Sequence, residues 1–74
     1  MPLRPPAYRE VKRRLEAAGF TQLPHRGGSH VKFVKVTPEE TRTAVVPRHR
    51  EVTTGTLRSI LRQAGLTQDQ FDDL

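Results

Sequence analysis

Residues 27–47 read Gly27-Gly28-Ser29-His30-Val31-Lys32-Phe33-Val34-Lys35-Val36-Thr37-Pro38-Glu39-Glu40-Thr41-Arg42-Thr43-Ala44-Val45-Val46-Pro47, and their reading decides the fold. Ser29 to Val36 alternates and is rich in Val and Phe, the pattern of a strand with one buried face. Thr37 to Glu40 is a turn, with Pro38 where its fixed φ is favoured. Thr41 to Val46 is a second strand, stopped by Pro47. Two strands joined by so short a connection run antiparallel. On the upstream side, Gly27 and Gly28 tolerate the positive φ of a tight turn, which makes Thr21 to Arg26 a short partner strand. Pro24 has no N–H to give a ladder, so that strand lies at an edge.

Helical periodicity flanks the hairpins. Tyr8, Val11, Leu15 and Ala18 recur at helical spacing, Pro5 and Pro6 suit a first turn, and Gly19 followed by Phe20 suits a C-terminus; a helix is predicted over about residues 6 to 18. After a loop from Arg48 to Val52, Thr53 or Thr54 can cap a second helix, whose apolar stripe is Leu57, Ile60, Leu61 and Ala64 before Gly65. Thr67-Gln68-Asp69-Gln70 matches a capping box and predicts a short tail helix carrying Phe71 and Leu74. The fold class is therefore α+β: helix, three-stranded antiparallel sheet, helix, short C-terminal helix. Both main helices must cover one face of so small a sheet. The other face is left open, and function is to be sought there.

On the central strand Val31 and Phe33 point one way, while His30, Lys32, Val34 and Val36 point the other. Phe33, the largest apolar side chain of the strand, is assigned to the helix side, which puts His30 and Lys32 together on the open face. Alternation fails over Val34 to Val36, a pattern compatible with a bulge or a strand end. For Ala44 and Val46 against Thr43 and Val45, periodicity does not choose the face.

Composition narrows the chemistry. The chain has 74 residues, 34% of them hydrophobic, enough for one domain (residues 1–74) and no large enclosed cavity. Thirteen Lys and Arg against eight Asp and Glu give a net charge of +5, so a polyanion is the first partner to consider. There is no cysteine, hence no disulfide and no thiolate zinc site. His25, His30 and His49 share no short ligand spacing, His25 and His49 have arginine neighbours, and the carboxylates do not cluster, so neither a zinc site nor a two-metal nuclease is expected. No cofactor is implied. No apolar run approaches the roughly 18 residues that cross a bilayer, and the start lacks the apolar stretch of a secretory signal; a cytoplasmic protein without membrane contact is expected.

The remaining phosphoester chemistry is metal-free. A base removes the proton of an RNA 2′-hydroxyl, which attacks the neighbouring phosphate while an acid protonates the leaving 5′ oxygen. His30 fits the base: it opens a central strand directly after Gly27-Gly28-Ser29, where missing side chains admit a bulky partner, and imidazole titrates near neutrality. Taken alone, such a residue is more often an ordinary surface histidine beside a turn. His25 and His49 carry weaker signals.

The order and content of four blocks resemble the HicA toxins, including the YcfA-like mRNA interferases. The blocks are Leu15-Glu16-Ala17-Ala18-Gly19-Phe20, then Gly28-Ser29-His30 with Phe33, then Val46-Pro47-Arg48-His49, then Gly55 to Leu66. The resemblance implies a double-stranded-RNA-binding-domain-like fold, an endoribonuclease acting on mRNA, and catalysis by the histidine of Gly-Ser-His, here His30. It also implies inhibition by a HicB-like antitoxin, and for His49 a contact with substrate. One departure is the stretch before Gly28, which in the family carries basic or amide residues and here reads His25-Arg26-Gly27. The expected RNA-binding set is Arg26, Gly27, Gly28, Ser29, Lys32, Arg48, His49 and Arg50, with no metal. Two other readings use the same features: a non-catalytic RNA-binding module, since a basic surface suffices to hold double-stranded RNA, and a protein-interaction domain for an acidic partner.

Overall fold

The computed structural model describes residues 5–25 and 27–74. Six elements follow one another: α1 (Tyr8–Ala17), β1 (Thr21–Gln22), β2 (His30–Val36), β3 (Thr41–Pro47), α2 (Thr54–Ala64) and α3 (Gln68–Asp72). The sheet is antiparallel throughout, in the order β1-β2-β3. This is the α+β layout expected from the sequence, with α1 and α2 packed on one sheet face.

Register chooses the buried face. Phe33 pairs with Ala44 and Val31 with Val46, and all four side chains are buried in one cluster with Val11 and Leu15 of α1 and with Leu57, Ile60 and Leu61 of α2. The small Ala44 opposite Phe33 leaves the ring its volume, and the Tyr8 ring lies 6.4 Å from it. Full burial of side chains of this size stabilises by roughly 1.5–3 kcal/mol each, so the cluster holds the sheet against the helices.

The strand does not bulge where alternation fails. His30 to Val36 pairs continuously with Pro47 to Thr41. Lys35 takes a helix-side position by laying its methylenes over Gly19 and bringing Nζ to 5.9 Å from the Phe20 ring centre. A long aliphatic stem can thus occupy an apolar position while its charge reaches water. Val36, correspondingly, is 74% exposed.

Two boundaries differ from expectation. β1 stops at Gln22, although the Leu23 N–H still donates to the Lys32 carbonyl at 2.9 Å. Pro24 then ends the ladder, and seven residues rather than a tight turn join β1 to β2. Helix α1 starts at Tyr8, not at residue 6, because the extended Ala7 and its neighbours pair with the loop before α2. Tyr8 N–H donates to the His49 carbonyl (3.1 Å), and Val52 N–H donates to that of Pro6 (2.7 Å).

The other ends follow the caps. Phe20 folds back, its N–H on the Leu15 carbonyl. Thr53, the nearer of the two candidates, caps α2 with its hydroxyl accepting from Thr56 N–H. Gly65 ends α2 with φ 73°, and Leu66 N–H returns to the Leu61 carbonyl. Thr67 and Gln70 form the reciprocal capping box of α3, which buries Phe71. Along the outer edge of β3, Gln63 Oε1 accepts from Val45 N–H at 2.9 Å.

Candidate functional site

His30 is the first residue of β2, exposed, and turned to the face opposite Phe33. Its position follows from the strand's period of two: burying Val31 and Phe33 forces His30 and Lys32 outward. Ser29 Oγ lies 3.3 Å from His30 Nδ1. If Nδ1 carries the ring proton it donates to Ser29, and Nε2 is left with a free lone pair; with the other tautomer the serine donates instead. Ser29 is held in turn by the ladder, its carbonyl accepting from Arg48 N–H.

The connection ahead of β2 forms the second wall. Gly27 and Gly28 both take φ 76°, so the chain reverses through two left-handed residues, a conformation costly for any residue with a Cβ. A Cβ at either position would meet nothing within 4 Å. The glycines are thus required by backbone angle, while the space beside them stays open to a ligand. His25, half-buried, donates from Nε2 to the Gly28 carbonyl at 2.9 Å and ties the loop to itself.

Together Leu23, Pro24, His25, Gly27, His30 and Lys32 line an open cleft of about 300 Å³. Its described lining residues include two imidazoles and one ammonium and no carboxylate, a setting suited to a phosphate. Of the residues expected from the sequence, His30, Lys32 and Gly27 line it, and Gly28 and Ser29 adjoin it as exposed loop residues. Arg48, His49 and Arg50 are exposed on the loop after Pro47 but do not line the cleft. The Arg48 guanidinium lies over the Tyr8 ring, 5.7 Å from its centre, at the α1 side of the sheet. Arg26 lies outside the described residues. The sequence pattern carries only a weak signal for His25, since it is the folded-back loop that brings this residue to the same cleft as His30.

A second cavity, about 290 Å³, opens on the helix side among Pro5, Glu10, Arg14, Leu57, Phe71 and Asp72. Arg14 spans it: Nη1 donates to the Phe71 carbonyl (2.8 Å), and Nε meets Glu10 (2.8 Å). Hydrogen bonds from Arg13 and Arg14 hold the Glu10 carboxyl down at about 2. This cluster ties α3 to α1 and has no connection to the cleft. Among the described residues, no group of three or more His, Asp or Glu side chains is arranged to hold a metal ion, and no helix is long and apolar enough to cross a membrane.

Comparison with family models decides the family. The model described as the HicA toxin of bacterial toxin–antitoxin systems matches residues 8–66. The chain belongs to the HicA toxin family. A comparison with curated proteins finds no match. The matched span begins at the first residue of α1 and ends just after the α2 cap, so it takes in the whole sheet and the cleft; α3 lies beyond it. Membership makes this chain the toxin partner in a toxin–antitoxin pair, with an antitoxin as its counterpart.

Proposed function

We propose that this chain is a metal-independent endoribonuclease that cleaves mRNA with His30 as general base, and that a HicB-like antitoxin silences it by covering the same face. The observation that carries the reading is the exposed His30 ring at the mouth of a carboxylate-free cleft, with Ser29 on Nδ1 and Lys32 two residues on. With Nδ1–H donated to Ser29, Nε2 takes the proton of a 2′-hydroxyl. The 2′ oxygen then bonds to phosphorus, the bond to the 5′ oxygen breaks, and the products are a 2′,3′-cyclic phosphate and a 5′-hydroxyl. Charge building on the phosphate is met by the Lys32 ammonium. Arg26, Arg48, His49 and Arg50 hold the flanking backbone, Gly27 and Gly28 give it access, and the cytoplasm is the compartment where mRNA is found.

The test compares wild-type protein and His30→Ala on end-labelled RNA, with and without EDTA. Removing a general base costs about 10²–10⁴-fold in rate. Because His30 is exposed, the variant keeps the wild-type melting temperature. Cleavage by His30→Ala at the wild-type rate, or activity abolished by chelator and restored by Mg²⁺, overturns the reading. Tight RNA binding without cleavage by the wild-type protein would instead make this fold a binding module. Adding a HicB-like partner suppresses cleavage, and a stable complex that keeps full activity contradicts occlusion.

A further inference from the structure

We propose that His25 is the general acid of the reaction, the group that protonates the departing 5′ oxygen; the inference rests on the ribonuclease reading above. His25, from the β1–β2 connection, and His30, the first residue of β2, line one cleft. The Gly28 carbonyl decides the tautomer of His25. A carbonyl only accepts, so the bond from Nε2 at 2.9 Å requires a proton on Nε2 and leaves Nδ1 as the nitrogen that exchanges protons. In the imidazolium form Nδ1–H is a donor, while the ring stays anchored through Nε2.

The cleft offers no better acid. Its described lining has no carboxyl group, and an alkylammonium releases a proton far less readily than an imidazolium. His49 sits on the loop after Pro47 and does not line the cleft. Proton accounting then closes with two imidazoles. His30 Nε2 receives the 2′-hydroxyl proton as the O2′–P bond forms. His25 Nδ1–H passes its proton to O5′ as the P–O5′ bond breaks. The two rings finish in exchanged protonation states, which proton exchange with water resets. Anchoring by Gly28 gives the acid a fixed position at no further ordering cost when RNA binds.

The experiment separates an acid from a loop anchor and from a failure of the ribonuclease reading. Wild type, His25→Ala, His25→Gln and His30→Ala are assayed on a short RNA and on the same RNA with sulfur replacing the bridging 5′ oxygen. A thiolate leaves without being protonated. His25→Gln keeps an N–H donor for the Gly28 carbonyl but transfers no proton. Both His25 variants are expected to lose about 10²–10⁴-fold on the natural RNA and to stay within about threefold of wild type on the thio-RNA. His30→Ala is expected to fail on both. Recovery of natural-RNA cleavage by His25→Gln would show an anchoring role and overturn the proposal. Equal losses on the two substrates, or no loss, would overturn it as well. Wild-type protein cleaving neither substrate would instead bring down the ribonuclease reading itself.

Discussion

Gly65→Ala probes how α2 ends and what lies against that end. Gly65 takes φ 73°, a left-handed backbone that costs an L-residue about 1–2 kcal/mol. A Cβ built there lies 2.5 Å from Arg42 Cζ, so the guanidinium that rests on the last turn of α2 must move. The Arg42 side chain is flexible, and its motion forfeits mainly the ion pair with Glu40. That pair is 39% and 51% exposed and so is worth about 0–1 kcal/mol. The sum is about 2 kcal/mol, which in a chain of this length lowers the melting temperature by about 10 °C. Urea and thermal denaturation followed by circular dichroism measure it. In an Arg42→Ala background the obstacle is gone, and Gly65→Ala is expected to cost only its backbone share. A cost below about 0.5 kcal/mol in the wild-type background would refute the argument from backbone angle. An undiminished cost beside Arg42→Ala would refute the contact.

Three further predictions concern the cleft and the α1 surface. Ser29→Ala removes the hydrogen bond to His30 Nδ1; a neutral bond of this kind is worth about 1 kcal/mol, and its loss in the transition state lowers RNA cleavage by about fivefold. An unchanged rate would detach the serine from the mechanism. Lys32→Met removes one cleft charge, and RNA binding measured across a salt series should weaken at low salt, with a log–log slope shallower by about one. A parallel slope would mean that Lys32 does not touch phosphate. Glu10 is held at about 2 by its hydrogen bonds to Arg13 and Arg14, below its ordinary 4.5, so it contributes stability that is full above pH 4.5 and fades as pH falls towards 2. Denaturation midpoints of wild type and Glu10→Gln should therefore converge over that window, and a gap that persists at pH 2 would contradict the assignment.

Local signals made the fold legible. The Thr37–Glu40 turn, the Thr53 and Thr67 caps and the Gly65 terminus each have a chemistry that reads without knowledge of the rest of the chain. What stayed illegible depends on distant partners. The face of β3 is chosen by pairing, since Ala44 is buried because Phe33 lies opposite, and a run of Ala and Val carries no such information. Lys35 reads as a break in the pattern but is accommodated by Gly19 and Phe20, residues of the α1–β1 corner. In the same way α1 gives up its first turn to hydrogen bonds with the loop between β3 and α2, far along the chain. Within the cleft, the strand period was enough to put His30 and Lys32 side by side. His25 was not so readable, because its neighbours in space are set by two glycines that turn the chain back on itself.

The Gln63 amide that receives the Val45 N–H has a consequence for crowding. On the outer side of β3 the next inward pleat belongs to Pro47, which has no hydrogen to offer. A second molecule approaching along that margin finds one donor already engaged and one missing, which weakens that end of β3 as a template for another strand. The end of β3 that pairs with His30 is thereby a poor starting point for edge-to-edge pairing, through one side-chain amide and one imino acid.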